Sequence, residues 1–176
     1  SNDYLEGKWF VDTIKDQLLQ QDLNFDMREV AVKFLDWYFA QSGVIGSCLS
    51  EGGDILSQWR SYADNGEGFS IGFDKQLLCD LCHQDKEIRN LKLSQITYDN
   101  EAQTEAAKEW VSRFLSILSE LGQINSQSLE MERILYFFLD DISLPYEFKN
   151  PAFCEEMEWR LFAPVLFNFY ADNILH

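Results

Sequence analysis

Two carboxylates and a guanidinium occupy alternate positions late in the chain: Glu156, Glu158 and Arg160, with Met157, Trp159 and Leu161 between them. Successive side chains of a strand point to opposite faces, so this spacing puts the charged groups on one surface and the apolar ones on the other. Such a surface suits a polar ligand or a cationic transition state, and crowding the two glutamates would raise the pKa of at least one. On this reading Met157, Trp159 and Leu161 are expected in the core. Glu156, Glu158 and Arg160 then face a cleft also bordered by Lys149 and by the helix carrying Trp59 and Tyr62. Two plainer readings compete: Arg160 as the buried partner of one glutamate, or a solvated face on which a helix would pair Glu156 with Arg160 at i,i+4 and leave Glu158 elsewhere.

A second cluster, Trp59, Arg60 and Tyr62, follows the Ser50-Glu51 turn and combines amphipathic rings with a cation just beyond a strand end, where sites are often carried. Core packing of the two rings with Arg60 in water explains it as well. Cys79-Asp80-Leu81-Cys82-His83 matches the spacing for covalent haem attachment, but it falls inside a helical pattern, where residues three apart share a face. A zinc site from Cys79, Cys82, His83 and Cys154 lacks a second paired spacing. The expectation is therefore no metal and no haem, with all four cysteines buried, reduced and small. Gly66, Gly68 and Gly72 miss the dinucleotide fingerprint and precede a strand pattern, so they read as turn and strand residues. Two histidines make a Ser-His-Asp or Cys-His mechanism a poor fit.

Positioning these residues falls to a chain of 176 residues with 46% hydrophobic and 15% aromatic content, enough for one packed core. Thirty acidic against fourteen basic residues give a net charge of −16, which repels phosphate backbones and anionic lipid. Nucleic acid and membrane are thus not expected partners, and a cytoplasmic location is. A small-molecule or protein ligand remains, including a basic partner surface that this acidic chain would occupy.

Helices are expected over 3–21 and 25–41, the second from Val30, Phe34, Trp37, Tyr38 and Gln41 with Asn24 as cap. A buried strand should start at Gly43, and a short helix capped by Asp54 should end at Asp64-Asn65-Gly66. The alternation of Phe69, Ile71 and Phe73 predicts a strand with one face in the core. A helix over Asp74–Gln84 and a strand over 87–99, irregular near Ser94, come next. Asn100 opens a helix with the stripe Trp110, Phe114, Ile117, Leu118 and Leu121, stopped by Gly122. A further helix spans about 128–141, and a loop between Pro145 and Pro151 leads to a last ordered stretch, 154–164. With no repeat and no linker, residues 1–176 read as one α+β domain.

Three segments together, SCLSEGGDILSQWRSYADNGEGFSIGFD, FKNPAF and EEMEWRLF, resemble an uncharacterised bacterial domain family found near mobile elements and phage-defence genes. The shared pattern falls here on Ser50, Glu51, Trp59, Tyr62, Gly68, Gly72, Phe73, Lys149, Phe153, Glu156, Glu158 and Arg160. Family members begin with a strand and helix before a turn that Asn2–Glu6 is similar to, and they continue past the E-x-E-W-R strand. The resemblance thus implies family segments missing at both ends. The E-x-E strand is also loosely similar to ADP-ribosyltransferases. That likeness implies an NAD-using defence or toxin effector in which Glu158 stabilises an oxocarbenium-like transition state, Glu156 faces the acceptor and Ser50 lines the nicotinamide wall. A non-catalytic ligand- or protein-binding module is the rival expectation.

Overall fold

The structure, a computed structural model, describes residues 7–84, 91–121 and 141–166. Three amphipathic helices build the core: α1 (Lys8–Leu19), α2 (Phe25–Gln41) and α5 (Asn100–Leu121). Each presents residues at helical spacing: Phe10, Ile14 and Leu18 from α1, Ala31, Leu35 and Tyr38 from α2, Ala107, Trp110 and Phe114 from α5. All are buried, and each large side chain contributes roughly 1.5–3 kcal/mol by leaving water. The Asn24 side chain accepts the Met27 N–H at 2.8 Å, the expected cap of α2. Of the expected stripe, Tyr38 is buried and Phe34 packs partly against the core, but two members depart from it. Val30 and Trp37 stand in solvent, because the stripe through the small residue Ala31 is the one that lets α2 approach α1 and α5. On α5, Trp110 and Phe114 are fully buried, with Ile117 and Leu118 packed partly against them.

The sheet has three antiparallel strands, β1 (Ser42–Ser50), β2 (Lys92–Gln95) and β3 (Glu158–Leu166), in the order β1-β3-β2. Mixed helices and a small sheet make this an α+β domain, as expected. Ser50 lies opposite Glu158, and Cys48 and Ser94 both lie opposite Arg160. Directly opposed residues share a face, so the register alone gathers Ser50, Cys48, Ser94, Glu158 and Arg160 on one side of the sheet. Ser94 pairs regularly, without the irregularity expected there. As an edge strand β1 is only half covered, with Ile45 67% exposed, so it is not the buried strand its composition suggested.

Other expectations are corrected. Residues 69–73 form no strand: Phe69, Ile71 and Phe73 are exposed, since alternation describes a face only when a neighbouring strand exists to cover it. Asp54 does not cap α3 (Leu56–Tyr62), whose N-cap is Ile55; its carboxylate accepts the Trp59 indole N–H at 2.8 Å. Cys79 and Cys82 sit half-buried on α4 (Lys75–Gln84), while Cys48 and Cys154 are exposed, so none is a core residue. The helix expected over 128–141 and the stop at Gly122 lie outside the described residues, apart from Asp141.

Candidate functional site

The charged cluster is assembled where the last loop crosses the sheet. Between Ser143 and Met157 the chain makes two 3₁₀ turns, Leu144–Tyr146 and Pro151–Glu156, each with proline in its first positions. Between them, Phe148 bridges Thr97, and the Lys149 N–H donates to the Thr97 carbonyl at 3.2 Å. The buried Gln103 side chain of α5 fastens this crossing by donating to the carbonyls of Thr97 and Lys149 at 3.0 and 2.9 Å. Phe148 stacks on Phe10 at 4.1 Å. The backbone of Lys149 is thereby tied to the helical core, and its side chain reaches the sheet.

There the ammonium of Lys149 donates to Glu156 Oε2 at 2.7 Å and to Glu158 Oε2 at 3.0 Å. Arg160 donates Nε to Glu158 Oε1 at 2.6 Å and Nη2 to Oε2 at 3.3 Å, while Nη1 reaches the Tyr146 carbonyl at 2.7 Å. Lys149, Glu158 and Arg160 are 7%, 4% and 3% exposed. Two cations against two carboxylates leave the group neutral, the condition under which charges tolerate burial. Burial alone would raise the Glu158 pKa, but hydrogen bonds from Arg160 and from the Cys48 thiol, with the nearby positive charges, outweigh it and hold the carboxyl below its usual range. Burial likewise disfavours charged Lys149, and the two glutamates overcome it, so its pKa lies above that of an ordinary lysine. The expected raising of a crowded glutamate is thus not seen at Glu158, because the Lys149 ammonium stands between the two carboxylates.

Met157 has a left-handed backbone (φ 43°) that separates the turn from β3. Glu156 therefore belongs to the turn and not to the strand, and Met157 is exposed where core burial was expected. Ser50 donates its hydroxyl to the Glu156 carbonyl at 2.7 Å, locking the turn to the end of β1. The structure thus brings Ser50, Lys149, Glu156, Glu158 and Arg160 together. Tyr62 stands near enough for Glu156 and Lys149 to act on its phenol, yet it is 60% exposed. Trp59 and Arg60 line a different place, an open concavity of about 540 Å³ shared with Leu56, Gly66 and Gly68.

Several participants went unnoticed in the sequence. The Tyr98 hydroxyl accepts the Glu158 N–H at 3.2 Å. Ser94 and Ser143 both donate to Glu147, at 3.1 and 3.2 Å, and Lys92 donates to Ser143 at 2.8 Å. Only strand register could have found Cys48 and Ser94, since nothing in their spacing points to Arg160.

Fold and site define a small α+β domain with a buried, neutral ion network at the turn into its central strand. The chain belongs to the family described as Protein of unknown function (DUF2971), whose model matches residues 58–161. No curated protein and no solved structure matches it.

Proposed function

We propose that this domain is a non-catalytic binding module in which the E-x-E segment, Glu156 on the turn and Glu158 on β3, holds the fold and performs no chemistry. The observation that carries the reading is the environment of Glu158. An ionised carboxylate offers about four lone-pair positions, and Arg160 Nε, Arg160 Nη2, Lys149 Nζ and the Cys48 thiol supply four donors. A ribose hydroxyl finds no acceptor there, so the geometry favours binding over an NAD-using transferase. Arg60 supports a ligand seat elsewhere. It has no acidic partner among the described residues, although the chain carries a net charge of −16. Beside the Trp59 ring and the open concavity, it suits a small planar anion, bound by charge and stacking. A cytoplasmic setting belongs to the same proposal and is supported by four free thiols.

Melting curves with NAD, inorganic phosphate and benzoate test it. Benzoate should protect the parent and lose that effect in Arg60→Ala, while NAD should give no protection that depends on Glu158. Protection by NAD that disappears in Glu158→Gln at an unchanged melting temperature would overturn the reading in favour of the transferase.

A further inference from the structure

One short stretch of chain builds the concavity beside Arg60. Leu56, Trp59 and Arg60 fall at i, i+3 and i+4 of α3 and so share one face of the helix. The remaining wall is Gly66 and Gly68, whose N–H groups both donate to the Ala63 carbonyl, at 2.8 and 3.0 Å, folding that wall back against the end of α3. Gly66 has a positive φ of 99°, and a Cβ at Gly68 would come within 2.9 Å of Ala63, so the wall keeps its shape only without side chains.

Trp59 is held by its edge. Its indole N–H donates to Asp54 Oδ1 at 2.8 Å, and among the described residues no aromatic ring and no cation stacks on it. A tryptophan fixed at the edge, without a stacked neighbour and lining a cavity, is a preset stacking platform.

Resting on the reading of Arg60 as an anion seat, we infer that the concavity takes a fused-ring aromatic monoanion, a bicyclic carboxylate, and that Asp54 is the residue positioning its platform. Size favours two rings over one. The volume of about 540 Å³ lies within the roughly 300–1,000 Å³ of ligand pockets and exceeds what a single-ring carboxylate fills. Two fused rings match the outline of the indole, and Leu56 adds an apolar wall. The second ring withdraws roughly 50 Å² more apolar surface from water, about a tenfold gain in affinity. Charge favours one negative group over two. Among the described lining residues Arg60 carries the single charge, while the exposed Asp54, Asp64 and Glu67 stand on the same stretch of chain. The guanidinium neutralises one negative charge; a second meets these carboxylates and a net charge of −16.

Equilibrium dialysis against benzoate, 2-naphthoate and 2-naphthyl phosphate at pH 7.5 tests the inference on the parent, Arg60→Ala, Asp54→Asn and Asp54→Ala. On the parent, 2-naphthoate should bind about tenfold more tightly than benzoate, and more tightly than 2-naphthyl phosphate, which carries the same rings with a second charge. Both Asp54 variants lose a carboxylate, but only Asn keeps an acceptor for the indole N–H. Asp54→Asn should therefore retain 2-naphthoate and Asp54→Ala should bind it several-fold more weakly, at an unchanged melting temperature, since Asp54 is exposed. The indole N–H resonance of Trp59, assigned by its loss in Trp59→Phe, should exchange with solvent faster in Asp54→Ala than in Asp54→Asn. If neither carboxylate binds the parent, or Arg60→Ala binds both as well, the anion seat falls and the inference with it. If benzoate binds through Arg60 but 2-naphthoate is no tighter, the naphthyl phosphate binds better, or the two Asp54 variants bind alike, the seat stands and the inference is overturned.

Discussion

Glu158 and Arg160 are two residues apart on the same face of β3, and the guanidinium grips the carboxylate through Nε at 2.6 Å and Nη2 at 3.3 Å. A side-on pair of this kind, between residues one strand step apart, leaves the third guanidinium nitrogen free to hold the Tyr146 carbonyl and with it the crossing loop. The pair is thus a clamp between sheet and loop, which gives its removal a definite expected effect.

Replacing Glu158 by Gln keeps the shape and removes the charge, leaving Arg160 and Lys149 buried with only Glu156 between them. Breaking a buried pair in this way costs about 3–5 kcal/mol. The melting temperature should fall by many degrees, and denaturant titration should show the loss directly. An unchanged melting temperature would mean that the network is not a structural element.

The same network sets a pH window. The Glu158 pKa is lowered on folding, so its contribution is complete above the unfolded carboxyl value, near 4.5, and is lost as pH falls through the folded one. The Lys149 pKa is raised, so its contribution is complete below the unfolded value of 10.5 and is lost as pH rises through the folded one. Stability measured by urea titration should be level between about pH 6 and 9 as far as these groups decide it. Its acid limb should flatten in Glu158→Gln.

Phe114 is fully buried and stacks on Trp110 and Phe34 at centroid distances of 5.3 Å each. Phe114→Ala should cost about 3–5 kcal/mol. Lys108, exposed on the opposite side of the helix and paired only with Glu105, should be replaceable by Ala within about 0.5 kcal/mol.

Gly46 stands opposite Phe162 in the β1–β3 ladder, and a Cβ there would lie 2.3 Å from the Leu161 carbonyl oxygen and 2.6 Å from the Phe162 Cβ. Gly46→Ala should therefore force the strands apart and destabilise by about 1–3 kcal/mol. Gly53→Ala, with open space around it, should be close to neutral. Thermal melts of the two variants side by side check the contrast.

The helical core was legible because its signal is local. Trp110 and Phe114 fall at helical spacing within one element, and Asn24 caps the helix that it precedes. The packing face of α2 was legible only in part: Phe34 and Tyr38 were on it, but Ala31 and Leu35 complete it in place of Val30 and Trp37, and close approach to two other helices decides between them. In the site, alternation correctly put Glu158 and Arg160 on one face but carried it one residue too far. The left-handed Met157 ends the strand, and no sequence period marks that corner. The partners of the pair come from β1, β2 and the crossing loop, so finding them required the register. Residues 69–73 show the reverse case, a strong strand pattern with no strand beside it.

The strand order has a consequence for how the chain comes off the ribosome. β3 is the centre of the sheet but the last of its strands to be made, and Ser50 meets Glu156 across 106 positions. Until β3 emerges, β1 and β2 have no partner strand among the described residues, while α1, α2 and α5 already have one another. The helices should therefore condense first, and the sheet should close late by long-range pairing, which is the slow kind. Through that interval β1 presents an open edge with Ile45 and Leu49 uncovered, the stage at which the nascent chain is most exposed to mispairing and most in need of a chaperone.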